Sequence, residues 1–181
     1  MSRKLFSLLI LLALTSILVA PSGSAAAQGA NRVDFTATSV NFCASGGVDP
    51  FCDPGEPVFL SNGKMFIVGF QTIMKFDATD PRWDADCYFS ADPFSPADHF
   101  PMMGSFVCYP TAPEYAGGWW EGSVRQVFMP DKVVATWNGK GYGTLDQLAV
   151  IAYNTMSSHF SDLDPGITDC GTITELPGYQ P

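Results

Sequence analysis

Basic residues are scarce in this chain: nine Lys and Arg stand against eighteen Asp and Glu. That balance excludes a nucleic-acid partner or an anionic membrane surface held by charge, because a negative protein is repelled by phosphate. Histidine is scarcer still. His99 and His159 lack ligand spacing and no CxxC occurs, so there is no zinc motif. No G-x-S-x-G occurs, so the hydrolase elbow is missing. No apolar run after residue 20 is long enough to cross a bilayer as a helix. Repeats, low-complexity tracts and charge blocks are absent as well. The acidic stretches do not compensate. Pro81 interrupts Asp77, Asp80, Asp84 and Asp86, and Ile173 stands where a calcium loop beginning at Asp162 needs its glutamate. Both stretches read as turn chemistry. No catalytic residue, metal ligand or cofactor is assigned.

What is present begins with an export signal. Arg3 and Lys4 precede an apolar run over residues 5–20, and Ala25-Ala26-Ala27 offers small residues for cleavage. The pattern predicts a signal peptide over residues 1–27 and a secreted protein, extracellular or periplasmic, that starts at Gln28. The alternative is an uncleaved anchor; cleavage leaves no stable membrane anchor. Residues 28–181 suffice for a single domain with a real core. Removing Arg3 and Lys4 leaves seven basic residues against eighteen acidic ones, a net charge of −11.

Five cysteines follow the signal segment, and an exported chain uses them in disulfides. The odd number leaves one over, and several pairings are open. Cys43 and Cys52 enclose a Gly/Pro loop and form the first expected pair. Cys87 and Cys108 lie in neighbouring strand candidates and form the second. Cys170 is left unpaired.

Alternation of apolar and polar residues predicts strands along most of the chain. Val33, Phe35 and Ala37 share one parity and Val40 and Phe42 the other, which suggests a bulge. A short strand over residues 57–60 reaches the hairpin signal Asn62-Gly63. The longest strand candidate covers residues 65–76, with Phe66, Val68, Phe70, Met74 and Phe76 on its core face. Residues 77–86 form a polar connection. Residues 87–90 and 104–109 are further strands, separated by a proline-rich loop. Residues 117–153 read as three strands joined by two turns, at Pro130-Asp131 and Asn138-Gly139, with Gly141 and Gly143 at a bend. For residues 145–156 a capping box at Thr144 and Gln147 argues for a helix. The apolar run over 148–153, rich in β-formers, argues for a buried strand and is preferred. The tail after Asp162 is turn-rich. The sum is an all-β domain, a small antiparallel barrel of about eight strands, with a two-sheet sandwich as the alternative.

Three short stretches carry a family resemblance: the hairpin over residues 55–70, the turn Asp80-Pro81-Arg82, and the bend GYGTLDQL over 141–148, with Trp120-Glu121-Gly122 as a further W-x-G. Over roughly residues 33–155 the chain resembles the bacterial secreted β-barrels related to allene oxide cyclase and dirigent proteins, a calycin-like architecture. Gln147 replaces the last glycine of the family's bend. The resemblance implies an eight-stranded barrel with an apolar cavity, and none of the family's catalytic residues maps onto this chain.

Candidate site residues are therefore aromatic. Trp83, Trp119, Trp120 and Trp137 can stack on a ligand or fill a core. Trp119 and Trp120 are neighbours in a strand and face opposite ways. Trp120 and Trp137 share parity with apolar neighbours on adjacent strands, and they are the expected ligand-binding pair. Asp98-His99 and His159 read as surface groups. The expected function is non-enzymatic binding of a small apolar or aromatic ligand. Two alternatives stand beside it: a cyclase or isomerase in which a carboxylate such as Glu121 assists, and a surface interaction module.

Overall fold

The computed structural model describes residues 30–92, 102–129, 132–157 and 167–179. The expected signal segment over residues 1–27, Asp98, His99, His159 and the turn expected at Pro130-Asp131 lie outside the described residues. Among the described residues there are ten strands: β1 (Asn31–Asn41), β2 (Glu56–Phe59), β3 (Met65–Val68), β4 (Phe70–Ala78), β5 (Ala85–Ala91), β6 (Met102–Pro110), β7 (Trp119–Phe128), β8 (Lys132–Tyr142), β9 (Leu148–Ser157) and β10 (Ile167–Glu175). Eight of them close an antiparallel barrel in the order β1-β10-β9-β8-β7-β6-β5-β4. Strands β4 to β10 form a meander, and β1 closes it by pairing with both β10 and β4. Strands β2 and β3 form a separate hairpin.

Alternation decides what lies inside. On β5 Ala85, Cys87, Phe89 and Ala91 are buried, and on β8 Val133, Ala135 and Trp137. The interior is filled with rings. Trp83 lies 5.9 Å from Phe35, 5.5 Å from Phe76, 6.2 Å from Phe106 and 5.9 Å from Trp120, centroid to centroid. Phe106 lies 5.1 Å from Trp137. Tilted and edge-on packing of this kind adds about 0.5–1.5 kcal/mol per pair beyond the area buried. Cys87 stands opposite Cys108 in the β5–β6 register, and the two form a disulfide inside the core. Cys43 and Cys52 form the second bridge, and Cys170 is free and exposed.

Several expectations are corrected. The strand expected over 65–76 is two strands, because Gly69 takes φ +75° and turns the chain from the hairpin into the barrel. Phe66 is consequently only half-buried, Val68 is exposed and Phe70 is half-buried, while Thr72, Met74 and Phe76 form the core face. Ile73, of the opposite parity, is also buried where the Cys43 loop is fastened to β4: Phe42 N–H donates to its carbonyl at 2.9 Å. No hairpin forms at Asn138-Gly139, and β8 runs straight through both residues. Gly139 is required there for space, since a Cβ would sit 2.7 Å from Cζ of Phe106. The turn comes instead at residues 143–147. The bulge expected in β1 is absent: its register with β10 is unbroken from Asn31 to Ser39. Phe42 lies beyond the strand, under the Lys75 ammonium, 4.8 Å from its centroid. The polar connection is shorter than expected, since β4 runs to Ala78 and β5 starts at Ala85. Finally, the tail contains β10, which closes the barrel.

Two outcomes follow from this arrangement. Phe76→Ala removes a fully packed ring and lowers stability by about 3–5 kcal/mol, whereas Phe66→Ala on the hairpin lowers it by less than about 1 kcal/mol; urea denaturation midpoints compare the two, and equal losses would contradict this assignment. Non-reducing peptide mapping recovers Cys43–Cys52 and Cys87–Cys108, and a maleimide labels Cys170 in the native protein. Recovery of Cys170 in an internal bridge would contradict the connectivity.

Candidate functional site

The two ends of the barrel differ in how their polar groups are satisfied. At one end the connection from β4 to β5 folds inward and inserts Trp83. Arg82 holds that connection. Its Nε and Nη2 donate to the two carboxylate oxygens of Asp80 at 2.9 and 2.7 Å, and its Nη1 donates to Glu175 on β10 at 2.9 Å. Trp120 Nε1 donates to the Arg82 carbonyl at 2.7 Å. Burial alone would raise the Asp80 pKa, but the hydrogen bonds and charge of Arg82 outweigh it and hold the carboxyl below its usual range. The hydrogen bond from Asn31, then that from Arg82, lowers Glu175 in the same direction. Leu145, from the turn after β8, and Leu148 complete this apolar end, both fully buried. Arg82, Asp80, Glu175 and the Trp120 indole all have partners here, whereas Nε1 of Trp83 has none.

The other end differs. Ser39 on β1, Asp169 on β10 and Asn154 on β9 all point inward and are at most 3 % exposed. Asp169 stands directly opposite Ala37 on one side and Asn154 on the other, and Asn154 stands opposite Ala135 of β8. Ser39 is the next inward position on β1 after Ala37. Ser39 Oγ, both side-chain atoms of Asn154 and both carboxylate oxygens of Asp169 have no hydrogen-bond partner, nor does Trp137 Nε1, one inward position along β8 from Ala135. Nearby, Thr72 shows the ordinary solution, donating to Asn41 Oδ1 at 2.7 Å.

Unpartnered buried groups are expensive, about 1–3 kcal/mol each, unless a water or ligand completes them. Burial pushes the Asp169 carboxyl up to about 7, against a smaller opposing pull from the neighbouring Ser39 hydroxyl. That hydroxyl nonetheless stands outside hydrogen-bonding geometry. A carboxyl near neutrality inside an aromatic barrel can donate or accept a proton, and a polar cluster on an apolar wall is the ordinary make-up of a ligand site.

The two expected ligand-binding residues fall in different settings. Trp120 and Trp137 are both inward and fully buried. They stand two inward positions apart along the barrel, since Trp120 pairs with Gly141 and Trp137 with Val124. Phe106 packs against Trp137, Trp83 packs against Trp120, and the two rings pack on each other. Of the expected pair, Trp137 keeps a free indole N–H and Trp120 does not; Nε1 of Trp83 is also without a partner. Trp119 lies outside, stacked on Tyr142 at 5.4 Å. Glu121 is exposed on the outer surface of β7, so it does not reach the interior. Sequence reasoning missed Ser39, Asn154 and Asp169. The available signal was polar residues on the inward parity: Asn154 follows Val150 and Ala152, and Ser39 follows Phe35 and Ala37. Among the described residues no group of three or more His, Cys, Asp or Glu side chains is placed to hold a metal.

The titration of Asp169 has a sign that can be tested. Its folded pKa lies above the unfolded value of about 4, so the unfolded state binds fewer protons between these values. The Asp169 contribution to stability therefore falls as pH rises from about 4 to about 7, by up to about 1.4 kcal/mol per pH unit, and is level outside that window. Asp169→Asn removes this dependence. The variant is expected to match the wild type near pH 4 and to exceed its stability at pH 8, read from urea denaturation at each pH; parallel pH profiles would contradict the assignment.

Comparison of the chain with protein-family models, with curated proteins and with solved structures gives no match, so the chemistry of this end of the barrel is what bears on function.

Proposed function

We propose that this protein is an exported barrel that binds a small apolar or aromatic ligand beside Trp137, at the end that carries Ser39, Asn154 and Asp169, and does not transform it. The observation that supports this reading is the set of buried polar atoms without partners above a wall of aromatic rings. A ligand seated there exchanges its hydrogen-bonding water for these groups and its apolar body for the rings. Two disulfides fit an oxidising compartment, in keeping with the export signal. The resemblance to the barrels of allene oxide cyclase and dirigent proteins fits an eight-stranded barrel, but a shared fold does not carry an activity.

A second reading is a cyclase or isomerase of that class, and one observation favours it: a buried carboxyl raised to about 7 has the acidity of a general acid at neutral pH. In that case Asp169 takes the role expected of Glu121.

Tryptophan fluorescence against a panel of hydrophobic and aromatic compounds separates these readings. The wild type is expected to give a saturable change that Trp137→Phe abolishes and Trp120→Phe preserves, with the compound recovered unchanged by mass spectrometry. Conversion of the compound would favour the enzyme; absence of any saturable response would remove the pocket.

A further inference from the structure

The identity of the buried polar atoms narrows the ligand. Together Ser39, Asn154 and Asp169 present a hydroxyl, a carboxamide and a carboxyl group: Asn154 and Asp169 stand side by side on β9 and β10, and Ser39 lies one inward position further along the neighbouring β1. Each can donate and accept once the carboxyl is protonated. The residues beside them are small: Ala37 and Ala135 flank the pair across the sheet, and Ala152 and Gly171 are the next inward positions on β9 and β10.

Charge at the site is equally informative. Among the described residues Asp169 is the only titratable side chain that points inward at this end. Asp34, Lys75, Asp77, Lys132, Tyr153 and Cys170, on the strands around it, are exposed on the outside, and so are Glu121 and Arg125 of β7. Arg82 is engaged at the opposite end. An anionic ligand would meet a carboxyl with no cation to offset it. A cationic ligand would need two ions stripped of water, a cost that ion pairing in an apolar interior often fails to recover. An uncharged polar group carries neither penalty.

We propose that Ser39, Asn154 and Asp169 recognise a single uncharged hydroxyl or carbonyl group on an otherwise aromatic or apolar ligand, with Asp169 bonding to it as the carboxylic acid. This rests on the reading of the barrel as a binding protein. The upward displacement of the Asp169 carboxyl to about 7 agrees with it, since the acid then persists across the mildly acidic range. Binding is level below that pH and weakens above it, because the carboxylate must first take up a proton from solvent.

The test compares phenol, toluene, benzoate and benzylammonium by calorimetric titration of the purified protein at about pH 5.5 and about pH 8.5, where phenol stays uncharged. Phenol is expected to bind tightest at the lower pH and to lose roughly tenfold or more in affinity at the higher one. Asp169→Asn, whose amide keeps a donor, is expected to bind phenol equally at both pH values. Asn154→Leu is expected to erase the preference for phenol over toluene. Toluene binding as tightly as phenol to the wild type, or benzylammonium binding tightest at the higher pH, would overturn the inference while leaving a binding barrel. If none of these compounds binds, both the inference and the binding reading fall.

Discussion

The barrel depends on one inward-folded connection. Eight strands enclose a space that side chains fill or that holds one small ligand, and here Trp83 fills one end of it from outside the strands, at the end of a turn rather than on the sheet. Placing an indole there requires the turn itself to be buried, with its backbone and its charges. Arg82 makes that possible. Its planar guanidinium meets both Asp80 oxygens and also reaches Glu175, while its carbonyl accepts the Trp120 indole N–H. Lysine could not replace it, because a point charge cannot form that fork. The clasp joins the β4–β5 connection to β7 and to β10, so the last strand to close the barrel is secured by the same side chain that inserts the plug. A buried ion pair is poor evidence for net stability, yet removing one partner strands the other. The contribution here is to hold one arrangement of the turn.

How much of this was legible follows from which residues obey the strand period. Strand β7 and the inward placement of Trp120 and Trp137 follow from alternation, and β9 from a continuous apolar run of β-formers that outweighed the helix signal at Thr144 and Gln147. So does the pairing of Cys87 with Cys108, since two strands joined by one loop place them opposite. The errors arose where glycine or polar residues stood for tertiary packing. Asn138-Gly139 has the composition of a tight turn, but the glycine is there to admit the Phe106 ring. Gly171 plays a similar part in β10, where Phe35 lies against it, and that strand's inward face of Asp169, Gly171 and Ile173 has no apolar alternation to detect. Gly69 is the converse case: an unbroken alternation on both sides of it concealed a change of sheet, because period says nothing about which partner a strand joins. Asp80 and Arg82 read as turn residues, and they are, but their burial depends on contacts with β10 far along the chain.

The candidate site escaped notice for the same reason. Its three polar residues look like solvent-facing positions until the parity of each strand is fixed by its neighbours. Ser39 and Asn154 extend inward rows that begin with Phe35 and Ala37 or with Val150 and Ala152. A core polar group is informative only once its lack of a partner is known, and that is a property of the whole barrel rather than of any segment.

The two ends oppose each other in their response to acid. Asp80 and Glu175 have folded pKa values below their unfolded ones, so they stabilise the protein above the acidic range and lose that contribution as pH falls. Asp169 is displaced upward, so it withdraws stability as pH rises toward about 7. A protein that needed only to be stable would place an apolar residue at Asp169, because the same end could be packed without any charge to desolvate. Retaining a carboxyl, an amide and a hydroxyl there, each without a partner, while the carboxylates and the guanidinium at the opposite end are matched and the Trp83 indole N–H is left over, sets the ends apart. One end is built to stay shut, and the other leaves hydrogen-bonding capacity for something the chain does not itself supply.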